Sequence, residues 1–176
     1  MEHFHIDIPQ QVLDDLRHRL VSTRFVETTP GEPWDAGTNV GYLRDLVTYW
    51  AEGYDWREAE RRLNDLPQYT TRIAGQLVHY VHVRGDGGAP TTDAMPIILT
   101  HGWPYSFIEM LGIVPLLVDP AANGGRPEDV FDVVIPSLPG YGFSQPLGDK
   151  PFVGSTVAEL WHELMTSVLG YQRYAT

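Results

Sequence analysis

The chain has 176 residues, 43% of them hydrophobic, with 12 basic against 23 acidic side chains and a formal net charge of −11. That length fits one domain or a domain plus part of another. The acidic balance argues against a nucleic-acid partner and against anionic membrane surfaces, because both need basic patches. Cysteine is absent, which excludes disulfides, thiolate zinc sites and cysteine nucleophiles and fits a cytoplasmic setting.

Met1–His5 has no basic region and no long apolar run, so no signal peptide is expected. No stretch approaches the roughly 18 apolar residues of a membrane span, and no membrane anchor is expected. Val12, Leu13, Leu16 and Leu20 then recur at helical spacing, with Pro9 suited to a first helical position. Residues 29–37 read as a loop rich in proline, glycine and acidic side chains. A second helix is predicted from Asn39 or Val40 to Glu52, with Tyr42, Leu43, Leu46, Val47 and Trp50 on one face. A third covers Trp56–Leu63, and Pro67 bars its continuation. Trp34, Trp50 and Trp56 read as packing residues rather than ligand-stacking platforms.

The pattern changes at Gln76–Val83, which alternates as a strand and closes in a loop over Gly85–Pro90. Residues 96–100 form a short apolar strand of the kind buried on both faces of a parallel sheet. A helix over Ser106–Leu117, a buried strand over Val130–Ile135 and a helix over Ser155–Leu169 follow. Ser155 is placed to open the last helix in a capping box with the Ala158-Glu159 region, and Gly170 is placed to end it. Residues 171–176 read as the approach to a further strand. Strand and helix alternating in this way are the mark of an α/β sheet.

Several chemistries fail on spacing. His79 and His82 stand three apart on a strand, so they face opposite sides and cannot chelate one ion together. His3 and His5 lack a third ligand and read as a frayed polar terminus. His162-Glu163 would need a histidine at position 166, where Thr166 stands. Gly140-Tyr141-Gly142 would need a third glycine at 145 to hold a dinucleotide, and Gln145 stands there. There is no Gly-x-Ser-x-Gly turn for a serine nucleophile. No metal and no cofactor are expected.

His101-Gly102-Trp103-Pro104 remains. It follows the apolar strand directly, where α/β sheets bind their ligands. A turn there can aim backbone N–H groups at oxygen that becomes negative during acyl transfer or epoxide opening. On the tetrapeptide alone, an oxyanion hole and an ordinary strand-to-helix turn both stay open.

Two longer stretches extend the pattern. One is Val133-Val134-Ile135-Pro136-Ser137-Leu138-Pro139-Gly140-Tyr141-Gly142-Phe143-Ser144. The other holds Trp34-Asp35-Ala36-Gly37-Thr38-Asn39, Tyr42-Leu43, Tyr49-Trp50, Tyr54-Asp55-Trp56-Arg57, Leu63-Asn64 and Pro67-Gln68-Tyr69-Thr70-Thr71. With the His101–Pro104 motif they resemble the α/β-hydrolase family, in particular its microsomal-type and juvenile-hormone-type epoxide hydrolases. The likeness runs from about Phe4 to Thr176, and ordinary esterases and dehalogenases of the fold lack the tryptophan-rich segment.

The resemblance implies an α/β fold in which a helical N-terminal meander, residues 1–75, packs on the first half of an α/β-hydrolase sheet, residues 76–176. It implies an aspartate nucleophile forming an alkyl-enzyme ester, a histidine base with an acidic partner, two lid tyrosines and a small apolar epoxide as substrate. It places the Trp103 backbone N–H in the oxyanion hole, supported by His101, Gly102 and Pro104. The nucleophile, base and lid tyrosines match no residue here, so a chain truncated before the nucleophile turn, and inactive alone, is expected. The far edge of the 97–100 strand is then expected to lie bare, an aggregation hazard. One departure stands out: Tyr105 occupies a position where the family usually has glycine. Other α/β-hydrolase chemistries and a non-catalytic remnant stay open as alternatives.

Overall fold

The structure, a computed structural model, describes residues 1–26, 31–32, 34–85, 94–148 and 151–176. The chain divides into two compact units, Ile6–Leu63 and Met1–His5 with Asn64–Thr176. Of the expected loops, Thr29, Pro30 and Pro33 and most of Gly85–Pro90 lie outside the described residues.

The first unit is helical: α1 Gln10–Val21, α2 Val40–Glu52 and α3 Trp56–Asn64. Pro9 caps α1 rather than entering it, because its ψ of 139° is extended. Asn39 caps α2 through its side chain, accepting the Tyr42 N–H at 2.9 Å, and Asp55 does the same for Glu58 at 3.0 Å. Glu60 gathers three donors: the Ile8 N–H at 2.8 Å, the Trp56 indole N–H at 3.1 Å and Arg57 at 2.6 Å. The Ile8 bond, followed by these side chains, holds the Glu60 carboxyl below its ordinary range. The tryptophans depart from the packing expectation. Trp56 is half-buried, but Trp34 and Trp50 are 55% and 47% exposed. The Trp34 ring lies 5.3 Å from that of Tyr42, and Trp50 lines an open groove of about 700 Å³ with Leu13, Leu16 and Leu46.

The second unit is a five-stranded mixed sheet: β1 Glu2–His3, β2 Gln68–Ile73, β3 Gln76–Val83, β4 Met95–Ile98 and β5 Phe131–Pro136, in the order β1-β2-β3-β5-β4. β4 and β5 pair in parallel, as the buried apolar runs predict, while β1, β2, β3 and β5 pair antiparallel in succession. Val133, Val134 and Ile135 are fully buried at the sheet centre. Ala175 bridges Ile97 in parallel, accepting the Ile98 N–H at 3.0 Å and donating to the Pro96 carbonyl at 2.8 Å. The expected approach to a further strand is therefore present, and the edge of β4 is paired there rather than bare.

Other differences have local causes. β1 and β2 replace the frayed terminus and part of the meander. Phe4 donates to the Gln68 carbonyl at 2.9 Å, and the His3 ring lies 4.8 Å from Tyr69. The β2–β3 hairpin turns over Ala74 and Gly75, both at positive φ (49° and 83°), which matches the twist of paired strands. The segment after Ser106 is a 3-10 helix over Phe107–Ile113 that becomes α only at α4, Val114–Val118. Pro115 has no N–H to give to the Leu111 carbonyl, so a continuous α-helix is barred. The last helix, α5, starts at Gly154 after an uncapped Val153, so Ser155 lies inside it and forms no capping box. Leu164–Val168 then widens into a π turn. Gly170, at φ 79°, ends it as expected.

The core beneath the sheet joins Val78 and Tyr80 of β3 to Leu160, Trp161, Leu164 and Met165. Among the described residues no helix is long and apolar enough to cross a membrane.

Candidate functional site

The chain leaves β4 at Ile98, and Leu99 still bonds the Val134 carbonyl at 2.9 Å. His101–Pro104 follows at once. It therefore lies at the carboxyl end of the parallel pair, beside the loop 137–144 that leaves β5 at the same end. Gly102 has nothing within 4 Å of where a Cβ would sit, so the surface over the turn is open. The Trp103–Pro104 peptide is cis, and Tyr105 closes the turn by donating its N–H to the Gly102 carbonyl at 2.9 Å. No acceptor takes the Trp103 N–H among the described residues. The Trp103 side chain is 80% exposed, and Tyr105 stands exposed beside it.

His101 points the other way. It is buried, and its Nε2 accepts the Leu138 N–H at 3.1 Å. Its ring meets Tyr141 edge-on at 5.5 Å. Burial pushes its pKa down, against weaker opposing effects of the Gly102 carbonyl and Glu109.

Loop 137–144 is itself anchored to the sheet. Ser137 donates its N–H to the His79 carbonyl at 2.8 Å. Ser144 Oγ donates to the Ser137 carbonyl at 2.8 Å and accepts the His79 N–H at 2.9 Å. The His79 ring bridges Ser137 Oγ at 2.9 Å and Gln68 Oε1 at 3.1 Å. Phe4, Phe107 and Phe143 enclose it at 4.9–5.2 Å. Since Gln68 Oε1 only accepts, His79 carries its proton on Nε2 and receives the Ser137 hydroxyl on Nδ1. Gly142, at φ 50°, passes so close that a Cβ would lie 2.6 Å from Ser137 Oγ.

The opposite face of β3 carries a second network. His82 Nε2 lies 2.9 Å from the Tyr171 hydroxyl, which donates to Asp132 at 2.7 Å. Asp132 also accepts the Gly85 N–H at 2.9 Å and Arg84 at 3.0 Å. His79 and His82 thus face opposite sides, as strand geometry requires. Among the described residues no cluster of three or more His, Cys, Asp or Glu side chains is placed to hold a metal. The spacing argument singled out the motif but not His79, Ser137, Leu138 and Ser144. The paired serines flanking Gly140 and Gly142 were the signal available for Ser137 and Ser144.

Comparison with known proteins assigns the chain. Residues 1–110 match the epoxide hydrolase N terminus family. A relative from Stigmatella aurantiaca is 45% identical over 171 residues, 97% of this chain and 38% of that protein. Epoxide hydrolase 1 of Oryctolagus cuniculus is 34% identical over 97% of this chain and 37% of its own length. The crystal structure of juvenile hormone epoxide hydrolase from the silkworm Bombyx mori superposes with a TM-score of 0.85 at 29% identity, over 98% of this chain and 44% of that one. The chain belongs to the epoxide hydrolase family, and its mixed sheet is part of an α/β-hydrolase fold. It spans 38% and 37% of the two relatives' lengths.

Proposed function

We propose that these residues serve an epoxide hydrolase that opens a small apolar epoxide to a diol through an alkyl-enzyme ester. The Trp103 backbone N–H is one donor of its oxyanion hole. The unaccepted N–H at the carboxyl end of β4 is the observation that carries this reading. A donor held there before reaction needs no reorganisation as charge grows on oxygen, and losing such a donor costs about 3–4 kcal/mol in the serine-protease case. His101, Gly102 and Pro104 support it: one fastens the turn, one leaves room above it and one stiffens it. Tyr105 narrows the cleft mouth where the family usually has glycine. The nucleophile, the base with its acidic partner and the lid tyrosines are supplied by residues other than these 176. The chemistry uses no cofactor, metal or nucleic acid, and a cytoplasmic setting suits a cysteine-free chain.

The coding sequence downstream of residue 176 tests the reading. An in-frame Gly-x-Asp-x-Gly turn supports it, and a Gly-x-Ser-x-Gly turn points to ester hydrolysis instead. At the protein level, residues 1–176 fused ahead of the remaining part of the Stigmatella relative should turn over styrene oxide, while the 176-residue chain should not. A fusion that cleaves p-nitrophenyl esters but leaves epoxides intact overturns the proposal.

A further inference from the structure

We infer that His101 is a positioning residue. Held in a single neutral tautomer, it ties the Trp103 turn to the loop after β5, and so fixes the direction of the Trp103 N–H. This inference rests on the oxyanion reading above.

The argument begins with proton placement. A backbone N–H can only donate, so the 3.1 Å contact from Leu138 makes His101 Nε2 the acceptor. The imidazole proton is therefore on Nδ1. Nδ1 lies 3.4 Å from the Gly102 carbonyl, too far for a strong bond, so the Leu138 contact sets the ring. A protonated ring would turn an N–H against the Leu138 N–H, and burial already disfavours that charge. Glu109 is the charged side chain that acts on the ring, and Tyr141 covers it edge-on. With Nε2 occupied, His101 offers no lone pair to a reacting proton in the cleft, so its role is transmitted through the turn.

Leu138 is a firm anchor. Its neighbour Ser137 is bonded through its backbone to His79 and to Ser144, and through Oγ to the His79 ring. The chain of contacts runs from β3, through Ser137-Leu138, to His101, and ends one peptide before the Trp103 N–H. The two loops it joins leave adjacent parallel strands, and His101 is the side chain hydrogen-bonded between them.

The test uses the 15N-labelled 176-residue chain and the fusion described above. Long-range 15N–1H spectra of the wild-type chain should show His101 as the Nδ1–H tautomer, coupled across the hydrogen bond to the Leu138 amide. An Nε2–H tautomer, or a Leu138 amide without protection, overturns the inference. His101→Ala should speed Leu138 amide exchange by about tenfold and move the Trp103 amide resonance. His101→Gln, whose Oε1 can accept the same N–H, should restore both. If His101→Ala does not fold, the wild-type tautomer and the Gln rescue still decide the matter. In the fusion, His101→Ala should lower kcat by about tenfold or more with KM little changed, and Gln should recover most of it. If the amide signatures appear as expected but kcat does not respond, the tether stands and the oxyanion reading fails. If the signatures are missing, the tether itself fails.

Discussion

Ser137 Oγ lies 2.9 Å from Nδ1 of a fully buried His79, so the central strand β3 holds the loop after β5 through a neutral imidazole. That contact makes the fold sensitive to acid. Burial holds His79 down to about 4, and burial with the Arg84 charge does the same to His82. Free histidine protonates near 6.5, so between about 6.5 and about 4 the unfolded chain binds more protons than the folded one. Stability should fall as pH drops through that window and be indifferent to these groups above it. His79 alone accounts for on the order of 3 kcal/mol. Urea unfolding at about pH 7.5 and about pH 5 checks this. Equal midpoints at the two values would show that the ring is protonated in the fold.

Asp132 should matter more than its exposed partner. It accepts from Gly85, Arg84 and Tyr171 while almost fully buried. Asp132→Ala leaves the Gly85 N–H and the Tyr171 hydroxyl without that acceptor and should cost about 2–4 kcal/mol. Arg84→Ala removes a side chain that is 68% exposed and should cost less than about 1 kcal/mol. Chemical denaturation of both variants gives the ratio, and near-equal losses would assign the network's strength to the ion pair.

Two glycine substitutions should separate space from conformation. Gly75 sits at φ 83° with nothing within 4 Å of a Cβ, so Gly75→Ala should cost about 1 kcal/mol. At Gly85 a Cβ would meet the Phe131 carbonyl oxygen at 2.3 Å. Gly85→Ala should therefore cost about 3 kcal/mol or more, by forcing β3 and β5 apart. Thermal melts that rank the pair in the reverse order would contradict this geometry.

At the candidate site, side chain and backbone should part company. Trp103→Ala should shift stability by no more than about 0.5 kcal/mol, since the indole is exposed and the N–H remains. Phe107→Ala, four residues on and 1% exposed, should cost about 3–5 kcal/mol. Differential scanning fluorimetry of the two variants is sufficient. A large loss at Trp103 would mean that the indole is packed.

The strands with strong local signals were legible. β3 was legible to the residue, and β4 and β5 within one or two, because alternation and β-branched apolar runs mark a pleated, buried surface. β2 was not, because its turn puts Ala74 at positive φ, a role that sequence patterns assign to asparagine or aspartate. The 3-10 start after Ser106 and the π turn at Leu164 depend on hydrogen-bond register within a helix, which apolar spacing does not encode. His101–Pro104 was visible as a motif because it is contiguous. The partner that orients it, Leu138, is 37 residues away and contributes only a backbone N–H, so no residue type could signal it.

The strand order also sets a timetable for synthesis. The β2–β3 hairpin can close as soon as Val83 has left the ribosome. β4 emerges next with neither neighbour available: β5 begins only at Phe131, and Ala175 comes later still. For that interval a nascent apolar strand presents both of its ladders to solvent. Codon usage across residues 99–131, and chaperone access to them, should therefore govern the yield of folded protein more than the same changes made elsewhere.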